Sequence, residues 1–126
     1  MRRLLLDTNV VVWLLLGDRE SVSAEAVEVL ADERNAVSVS AVSVWEIAIK
    51  RSLGKLLIED GWARALTRLG FDPMPVTAEH AEHAEHLPWH HRDPFDRLLI
   101  AQASLENSAL ISADERLSAY DVELLW

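Results

Sequence analysis

The sequence predicts an α/β fold with a mostly parallel central sheet and helices on both faces. Short apolar runs alternate along the chain with longer segments in which apolar residues recur every three or four positions. This alternation is typical of parallel sheets, because each strand needs a crossover helix before the next one. The 126 residues contain nothing that resembles a linker, so we expect a single domain over residues 1–126.

Four or five strands are expected. The first and the fourth are continuous apolar runs, which indicates burial on both faces of the sheet. The third contains two prolines, which cannot donate to a strand ladder, so we place it at or near an edge. The predicted strands lie at residues 4–6, 36–39, 71–76 and 109–111, with a fifth at 122–125.

Helices fill the segments between these strands. Ser23 and Ser40 suit N-cap positions, and Pro94 suits a first turn. In one helix the triplet Ala-Glu-His occurs three times in succession. Because a spacing of three drifts around a helix, the three rings cannot share one ion, and we expect a solvated face. The predicted helices lie at residues 10–16, 23–33, 40–52, 59–69, 77–87 and 94–106, with a short one at 114–117.

The composition excludes several classes of function. The chain has no cysteine, so disulfides, thiolate chemistry and Cys-based zinc sites are excluded. No apolar run approaches the roughly 20 residues of a membrane span, and the start lacks the long apolar stretch of a signal peptide, so we expect a cytoplasmic protein without membrane contact. The net charge of −9 argues against a broad basic surface for nucleic acid and is compatible with a basic partner protein.

Two acidic residues follow buried strands. Asp7 comes directly after the run at 4–6, and Asp114 follows the strand at 109–111 after two intervening residues. Ligands of open α/β sheets bind just beyond the carboxyl ends of strands, so we expect these two carboxylates to lie side by side. Asp114 has an alternative interpretation as the N-cap of the short helix that follows it.

Two further acids lie within apolar helix faces. Glu46 shares a face with Val42 and Ile49, and Asp96 shares one with Ile100, by the helical spacing of three and four. An unpaired carboxylate on a core face costs several kcal/mol or becomes protonated, and no Lys or Arg interrupts either face. Asp96 also lies in a first helical turn, where the helix dipole by itself favours an acid.

A divalent ion explains the four acids together. Mutual repulsion would oppose their convergence, and a cation removes it. A carboxylate site without cysteine suits a hard ion, either Mg²⁺ or Mn²⁺. Such ions bind substrate phosphates, so the chemistry that matches is hydrolysis of phosphodiester bonds. The expected catalytic and metal-binding residues are Asp7, Glu46, Asp96 and Asp114.

Four motifs carry a family resemblance that covers almost the whole chain. They are LLDTN at 5–9, SAVSVWEI at 40–47, HRDPFDRLLIAQA at 91–103 and LISAD at 110–114. Their order and spacing resemble those of PIN-domain nucleases, and with the total length they are similar to the VapC toxins of bacterial type II toxin–antitoxin pairs. In the fourth motif the hydroxyl of Ser112 is kept, but Ala113 stands where a basic residue is common.

The resemblance implies a PIN-like sandwich with Mg²⁺- or Mn²⁺-dependent endoribonuclease activity. The acidic quartet maps onto the same four acids, with Thr8, Asn9 and Ser112 expected to support the site by hydrogen bonds. Asp93 is expected either to support the metal through water or to cap a helix. The resemblance also implies an RNA substrate, transfer RNA being a common class, a homodimer, and an antitoxin with a basic tail.

Basic and aromatic residues near the motifs leave alternatives open. His91, Arg92 and Arg97 either contact the RNA backbone, or take part in proton transfer at the leaving group, or form a solvated loop with a salt bridge from Arg97. Lys50 is similarly placed and contributes to a positive rim for RNA contact. The tryptophans that either line a groove for the antitoxin or belong to the core are Trp13, Trp45 and Trp62. For each of the three we favour the core.

Two other functions compete with the nuclease. Phosphoryl transfer through an aspartyl-phosphate at Asp7 would need a second Asp at position 9, or a Lys near the last strands. The chain has Asn9 instead, and no Lys follows Lys55. A PIN-like module that only binds RNA or protein would show a damaged acid set, whereas all four positions are acidic here.

Overall fold

Five parallel strands form one sheet in the computed structural model, which describes residues 1–126. The prediction of a parallel α/β sheet is therefore confirmed. The strands are β1 (Arg3–Leu6), β2 (Ala36–Ser40), β3 (Asp72–Met74), β4 (Ala109–Ile111) and β5 (Leu124–Leu125). They lie in the order β3-β2-β1-β4-β5, with every neighbouring pair parallel. The proline-containing strand β3 lies at an edge, as predicted.

Six α-helices and one short 3₁₀-helix connect the strands. The α-helices are α1 (Thr8–Leu16), α2 (Ala24–Ala31), α3 (Ala41–Ser52), α4 (Trp62–Arg68), α5 (Ala78–Glu85) and α6 (Pro94–Leu105). The 3₁₀-helix spans Glu115–Ala119. All six predicted helices are present, although α4 begins three residues late because Gly61 takes a left-handed conformation with φ of 83° at its N-cap. No helix of the fold combines the length and the apolarity of a membrane span.

Buried side chains pack on both faces of the sheet, as the alternation along β1 illustrates. Leu4 and Leu6 belong to one apolar cluster, whereas Leu5 belongs to another. Val10 and Val11 of α1 pack in the first cluster, and α6 contributes to the second. Because strand side chains alternate between faces, this division puts helices on both sides of the sheet.

The topology brings the ends of β1 and β4 together in the middle of the sheet. Leu6 pairs in register with Ile111, and the backbone N–H of Asp7 donates to the carbonyl of Ile111 at 3.0 Å. The residues immediately after these two strands therefore lie side by side. At β2, Ser40 ends the strand and caps α3 by accepting from the backbone N–H of Val42 at 3.0 Å.

The Ala-Glu-His repeat of α5 differs from its prediction at one position. His80 is only 3% exposed, so the expected solvated face is wrong for this residue. Its Nδ1 accepts from the backbone N–H of Thr77 at 3.1 Å, and its Nε2 contacts Oε1 of Glu106 at 2.9 Å. His83 is half-buried and His86 is exposed. The three rings form no common group of metal ligands.

Candidate active site

The four predicted acids lie near one another beside the carboxyl ends of β1 and β4, and two of them, Asp96 and Asp114, have ligand oxygens within 4.8 Å of each other. Asp7 caps α1, Asp114 caps the 3₁₀-helix, and Asp96 lies in the first turn of α6. Glu46 comes from the middle of α3. Their charges act on each other: beside burial, which is the main cause, Glu46 and Asp114 raise the pKa of Asp7, and Asp7 adds to the rise at Asp96. We call these four residues the acidic quartet.

Asp7 is the most buried member of the quartet, at 6% exposure. Its Oδ1 accepts from the backbone N–H of Thr8 at 2.7 Å, and its Oδ2 accepts from Oγ of Ser112 at 2.6 Å. Burial raises the pKa of Asp7, and these two hydrogen bonds oppose the rise. The carboxylate is thus fixed in orientation but poorly solvated, so a nearby cation would stabilise its charge.

Ser112 connects two members of the quartet through one hydroxyl. While its Oγ donates to Asp7, the same oxygen accepts from the backbone N–H of Asp114 at 3.1 Å. Thr8 is tied to α3, since its Oγ1 lies 2.9 Å from Oγ of Ser43. Ser43 was not predicted, although its spacing of three residues before Glu46 places it on the same helix face. Asn9, the third predicted supporting residue, is exposed.

One carboxylate oxygen of Glu46 is buried without a partner. Oε2 lies 3.2 Å from Nζ of Lys50 one helical turn later, so the expectation that no lysine lies on this helix face is wrong at Lys50. Oε1 is inaccessible to solvent and makes no hydrogen bond. A buried carboxylate oxygen left unpaired destabilises the fold, so native proteins normally provide it with a donor or a cation. Oε1 is therefore free to bind a metal ion.

Asp96 is a half-buried carboxyl with a raised pKa. Burial raises its pKa to about 6, with further increases from the negative charges of Asp7 and Asp93. Nε2 of His91 lies 2.6 Å from Oδ2 of Asp96 and opposes the rise by hydrogen bonding. His91 therefore belongs to the immediate surroundings of the quartet, and its predicted contact with RNA remains a prediction.

Asp93 caps α6. Its Oδ1 accepts from the backbone N–H groups of Phe95 at 2.8 Å and Asp96 at 3.2 Å, and its side chain is exposed. The helix cap is therefore present, and support of a metal through water remains a prediction. It influences the quartet through its charge, which contributes to the raised pKa of Asp96.

Asp114 is the least buried member and has a cationic partner. Arg116 binds it with two parallel hydrogen bonds, Nε to Oδ1 at 2.9 Å and Nη2 to Oδ2 at 2.8 Å, which hold the pKa of Asp114 below its usual value. A basic side chain thus reaches this carboxylate from Arg116, three positions after Ala113. Asp32 and Arg34 form the same arrangement elsewhere on the surface, so Asp-x-Arg pairing by itself is a local turn feature.

Arg97 corrects one prediction. The guanidinium is only 5% exposed and donates to the backbone carbonyls of Ala84 at 2.8 Å, Pro88 at 2.9 Å and Leu87 at 3.2 Å. It also lies 3.7 Å from the ring centre of Trp89. The predicted RNA contact by Arg97 is therefore wrong, as is its alternative of a salt bridge, because a buried guanidinium with these partners cannot reach a phosphate.

The remaining predicted RNA contacts are accessible. Arg92 is exposed in the loop before α6, and Lys50 is half-exposed beside Glu46. Trp45, for which the core was favoured, is 61% exposed and packs against Phe95 with the ring centres 5.3 Å apart. Trp13 and Trp62 are partly buried against the larger apolar cluster. An exposed tryptophan therefore lies next to a member of the quartet in the chain.

Comparison with solved structures supports the fold assignment. VapBC2 from Rickettsia felis bound to a promoter DNA fragment is 15% identical with a TM-score of 0.69, covering 98% of this chain and 97% of that chain. VapBC-1 from nontypeable Haemophilus influenzae is 16% identical with a TM-score of 0.68, covering 98% and 96%. DNA-bound VapBC from Salmonella typhimurium is 12% identical with a TM-score of 0.70, covering 99% and 98%. At such identities the likeness shows the fold.

Sequence comparison identifies the family. No curated protein matches the chain well enough to count as a relative. The family model for the PIN domain matches residues 4–123, which include every member of the acidic quartet. The expected resemblance is therefore confirmed at the level of the family: the chain belongs to the PIN domain family.

Proposed function

We propose that this chain is a Mg²⁺- or Mn²⁺-dependent endoribonuclease and the toxin of a type II toxin–antitoxin pair. The observation that carries the proposal is the grouping of carboxylates beside the ends of β1 and β4. Ligand oxygens of Asp96 and Asp114 lie within 4.8 Å of each other, Ser112 links Asp114 to Asp7, and Oε1 of Glu46 is buried and unpaired. We take residues 1–126 to be one catalytic domain that acts on RNA in the cytoplasm.

The donor set of the quartet fits a hard divalent ion. All four side chains offer oxygen, which is the ligand that Mg²⁺ and Mn²⁺ prefer in proteins. Two cations lie beside the quartet, Lys50 against Glu46 and Arg116 against Asp114, so four ionised carboxylates would keep an excess of negative charge. Burial raises the pKa of both Asp7 and Asp96, and the neighbouring negative charges add to the rise. The residues that would hold the ion are Asp7, Glu46, Asp96 and Asp114.

A bound divalent ion supplies a water of lowered pKa and stabilises charge on a phosphoryl oxygen. The protein's part is to fix the ligands. Ser112 and the backbone N–H of Thr8 orient Asp7, and Arg116 orients Asp114 by two hydrogen bonds. Substrate phosphates would then be bound by the accessible basic side chains of Arg92 and Lys50.

The proposed partner is a small antitoxin with a basic, partly apolar tail. A groove beside the end of α1 is lined by the apolar side chains of Leu15, Leu57 and Trp62 and by the charged side chains of Glu59, Asp60 and Arg68. Apolar side chains of the tail would fill the groove, and basic ones would pair with the acidic surface of a chain whose net charge is −9. The solved VapBC structures are toxin–antitoxin complexes of this fold, and we propose the same assembly, with a homodimer of the toxin, here.

The nuclease proposal is tested by incubating purified protein with structured RNA, including transfer RNA, in Mg²⁺, in Mn²⁺ and in chelator. We expect cleavage in either metal, none in chelator, and none by Asp7→Asn. Glu82→Gln, an exposed acid of α5, is the matched control and should cleave like the wild type. Metal-independent cleavage would contradict the proposal. Binding of RNA without any cleavage would favour an inactive PIN-like module.

The toxin role needs a separate experiment. Induced expression of the wild-type chain should arrest growth of a bacterial host, and Asp7→Asn should not. Coexpression of the neighbouring open reading frame should restore growth and yield a copurifying complex. Growth arrest by the Asp7→Asn variant, or cleavage in vitro without toxicity, would contradict the toxin role and leave the nuclease in place.

A further inference from the structure

His91 is held rigidly beside the acidic quartet although it lies in the loop between α5 and α6. Its backbone N–H donates to Oη of Tyr120 at 2.9 Å, and its carbonyl accepts from Nη1 of Arg97 at 3.4 Å. Arg97 binds three more carbonyls around this loop, as described above. Both backbone groups of His91 are thus held by buried side chains, and the contact of Nε2 with Asp96 sets the direction of its ring.

The ring directs a nitrogen at the same space as two carboxylates. Nε2 lies 2.6 Å from Oδ2 of Asp96, and the ligand atoms of His91, Asp96 and Asp114 all lie within 4.8 Å of one another. Two ligands of one transition-metal ion, each about 2.0–2.2 Å from it, are separated by roughly 3–4 Å, so small side-chain rotations suffice to bring all three onto one ion. The ring is 13% exposed, which shields it from bulk water.

The second buried histidine of the fold provides a contrast. His80 also contacts a carboxylate, Glu106, but its Nδ1 is occupied by the backbone N–H of Thr77 and the cation Arg3 lies near Glu106. That pair has no second carboxylate beside it and forms no group of metal ligands. Only the His91 pair combines an imidazole nitrogen with converging, negatively charged oxygens.

We propose that Nε2 of His91 is a ligand of the metal site together with Asp96 and Asp114, and that it biases the site towards Mn²⁺ and Co²⁺ over Mg²⁺. The inference rests on the proposed metal-dependent function. Mg²⁺ keeps almost exclusively to oxygen ligands, whereas a nitrogen donor adds affinity for first-row transition ions, increasingly so from Mn²⁺ to Co²⁺. Replacing one oxygen position by imidazole is therefore expected to change selectivity more than it changes total affinity.

The direct test detects nitrogen at the ion in the wild-type protein. Mn²⁺-loaded protein is measured by pulsed electron paramagnetic resonance, once with natural histidine and once with histidine labelled with ¹⁵N. We expect a modulation from ¹⁴N that is replaced by that of ¹⁵N in the labelled sample, because the nitrogen belongs to a histidine ring. A signal that labelling does not alter, or no nitrogen signal at all, would overturn the inference. This measurement requires no variant to fold.

Titration of metal affinity by calorimetry identifies which histidine is responsible. His91→Gln should weaken Mn²⁺ and Co²⁺ binding by about 10-fold or more and Mg²⁺ binding by less than about threefold. His86→Gln, an exposed histidine after α5, is the matched control and should bind all three ions like the wild type. Equal weakening for all three ions would reduce His91 to a residue that positions Asp96, and would overturn its role as a ligand.

The outcomes also separate this inference from the proposed function. Wild-type protein that binds Mg²⁺ and cleaves RNA, but shows no histidine nitrogen at Mn²⁺, refutes the His91 ligand and leaves the nuclease intact. Wild-type protein that binds none of the three ions, with or without RNA, refutes both.

Discussion

Two histidine–carboxylate pairs border α6, one near each end, and they behave in opposite ways. At the start, Nε2 of His91 contacts Asp96 at 2.6 Å, and after the end Nε2 of His80 contacts Glu106 at 2.9 Å. The pKa of Asp96 is raised to about 6 by burial, whereas the hydrogen bond from His80 lowers the pKa of Glu106. Two similar histidine contacts therefore accompany opposite changes in the pKa of the carboxyl group.

The surroundings explain the difference. Asp96 is little exposed and lies near the like charges of Asp7 and Asp93, so its ionised form is unfavourable without a cation. Glu106 is 36% exposed and also faces Arg3, so its ionised form is favourable as the fold stands. The negative charge of Glu106 is balanced by residues of the fold, whereas the negative charge of Asp96 requires a bound cation. A carboxyl pKa raised by burial and by nearby negative charge, as at Asp96, is typical of functional sites.

The largest expected effect is on cleavage. Asp96→Asn should lower the rate of RNA cleavage by roughly 100- to 1,000-fold in Mn²⁺ or Mg²⁺, because the neutral amide cannot hold the ion with the same charge. Glu106→Gln should leave the rate within about twofold of the wild type. Single-turnover cleavage measured for both variants checks this. Comparable losses in the two would show that the distinction between the pairs has no functional meaning.

The next effect is on folding, at the residue that holds the loop of His91. Arg97→Ala should lower the free energy of unfolding by about 2–4 kcal/mol, because several buried carbonyls lose their donor. Arg97→Lys should recover only part of the loss, since an ammonium cannot reproduce the planar fork. Urea denaturation of the three proteins gives the values. A cost below about 0.5 kcal/mol for Arg97→Ala would mean that solvent replaces these hydrogen bonds.

A smaller expected effect is that the two carboxyl groups make folding stability depend on pH in opposite directions. The folded pKa of Asp96 exceeds its unfolded value of 3.8, so the folded state binds the extra proton and its stability declines as the pH rises through about 6. Glu106, with a lowered pKa, contributes stability above its unfolded value of 4.5 that is lost only as the pH falls through its folded pKa.

The measurement is urea unfolding of metal-free protein from about pH 5 to about pH 7.5. The wild type should lose about 1 kcal/mol more than Asp96→Asn over this range, because the variant has no proton to release at this position. Glu106→Gln should follow the wild-type profile there. A steeper decline in Asp96→Asn than in the wild type would contradict the sign derived for Asp96. Saturating Mn²⁺ should flatten the wild-type profile, since the ion stabilises the ionised carboxylate.

The two pairs were not equally predictable from the sequence. The strands, the order of the helices and the positions of the four acids follow from local periodicity and from where an acid interrupts it, as Asp7 does after three leucines. Asp96 was therefore identified from the sequence as a candidate site residue. The burial of His80 was not, because the Ala-Glu-His repeat gives three histidines the same local context and only the packing of α5 on α6 buries one of them.

Arg97 and Trp45 were misjudged for a related reason. An arginine after an acidic motif is ordinarily exposed, and nothing local indicates that carbonyls far along the chain will surround Arg97. Trp45 lies on an amphipathic helix, and helical spacing alone cannot distinguish the margin of an apolar face from its centre. Local patterns thus predicted which residue types matter, whereas tertiary packing decided which of them are accessible.

The smallest expected effect tests whether the pair of His80 and Glu106 contributes to stability at all. Glu106→Gln retains a side chain of the same length that still accepts a hydrogen bond from Nε2 of His80, and it removes only the charge facing Arg3. Because both Glu106 and Arg3 are substantially exposed, we expect a loss of about 0–1 kcal/mol in the free energy of unfolding at neutral pH, decreasing further in high salt. Thermal and urea unfolding of the variant at low and high ionic strength measure it. A loss above about 2 kcal/mol would show that the ionised carboxylate of Glu106 is needed to hold His80 in its buried site, and the contrast with Asp96 would then concern burial alone and not the need for a ligand.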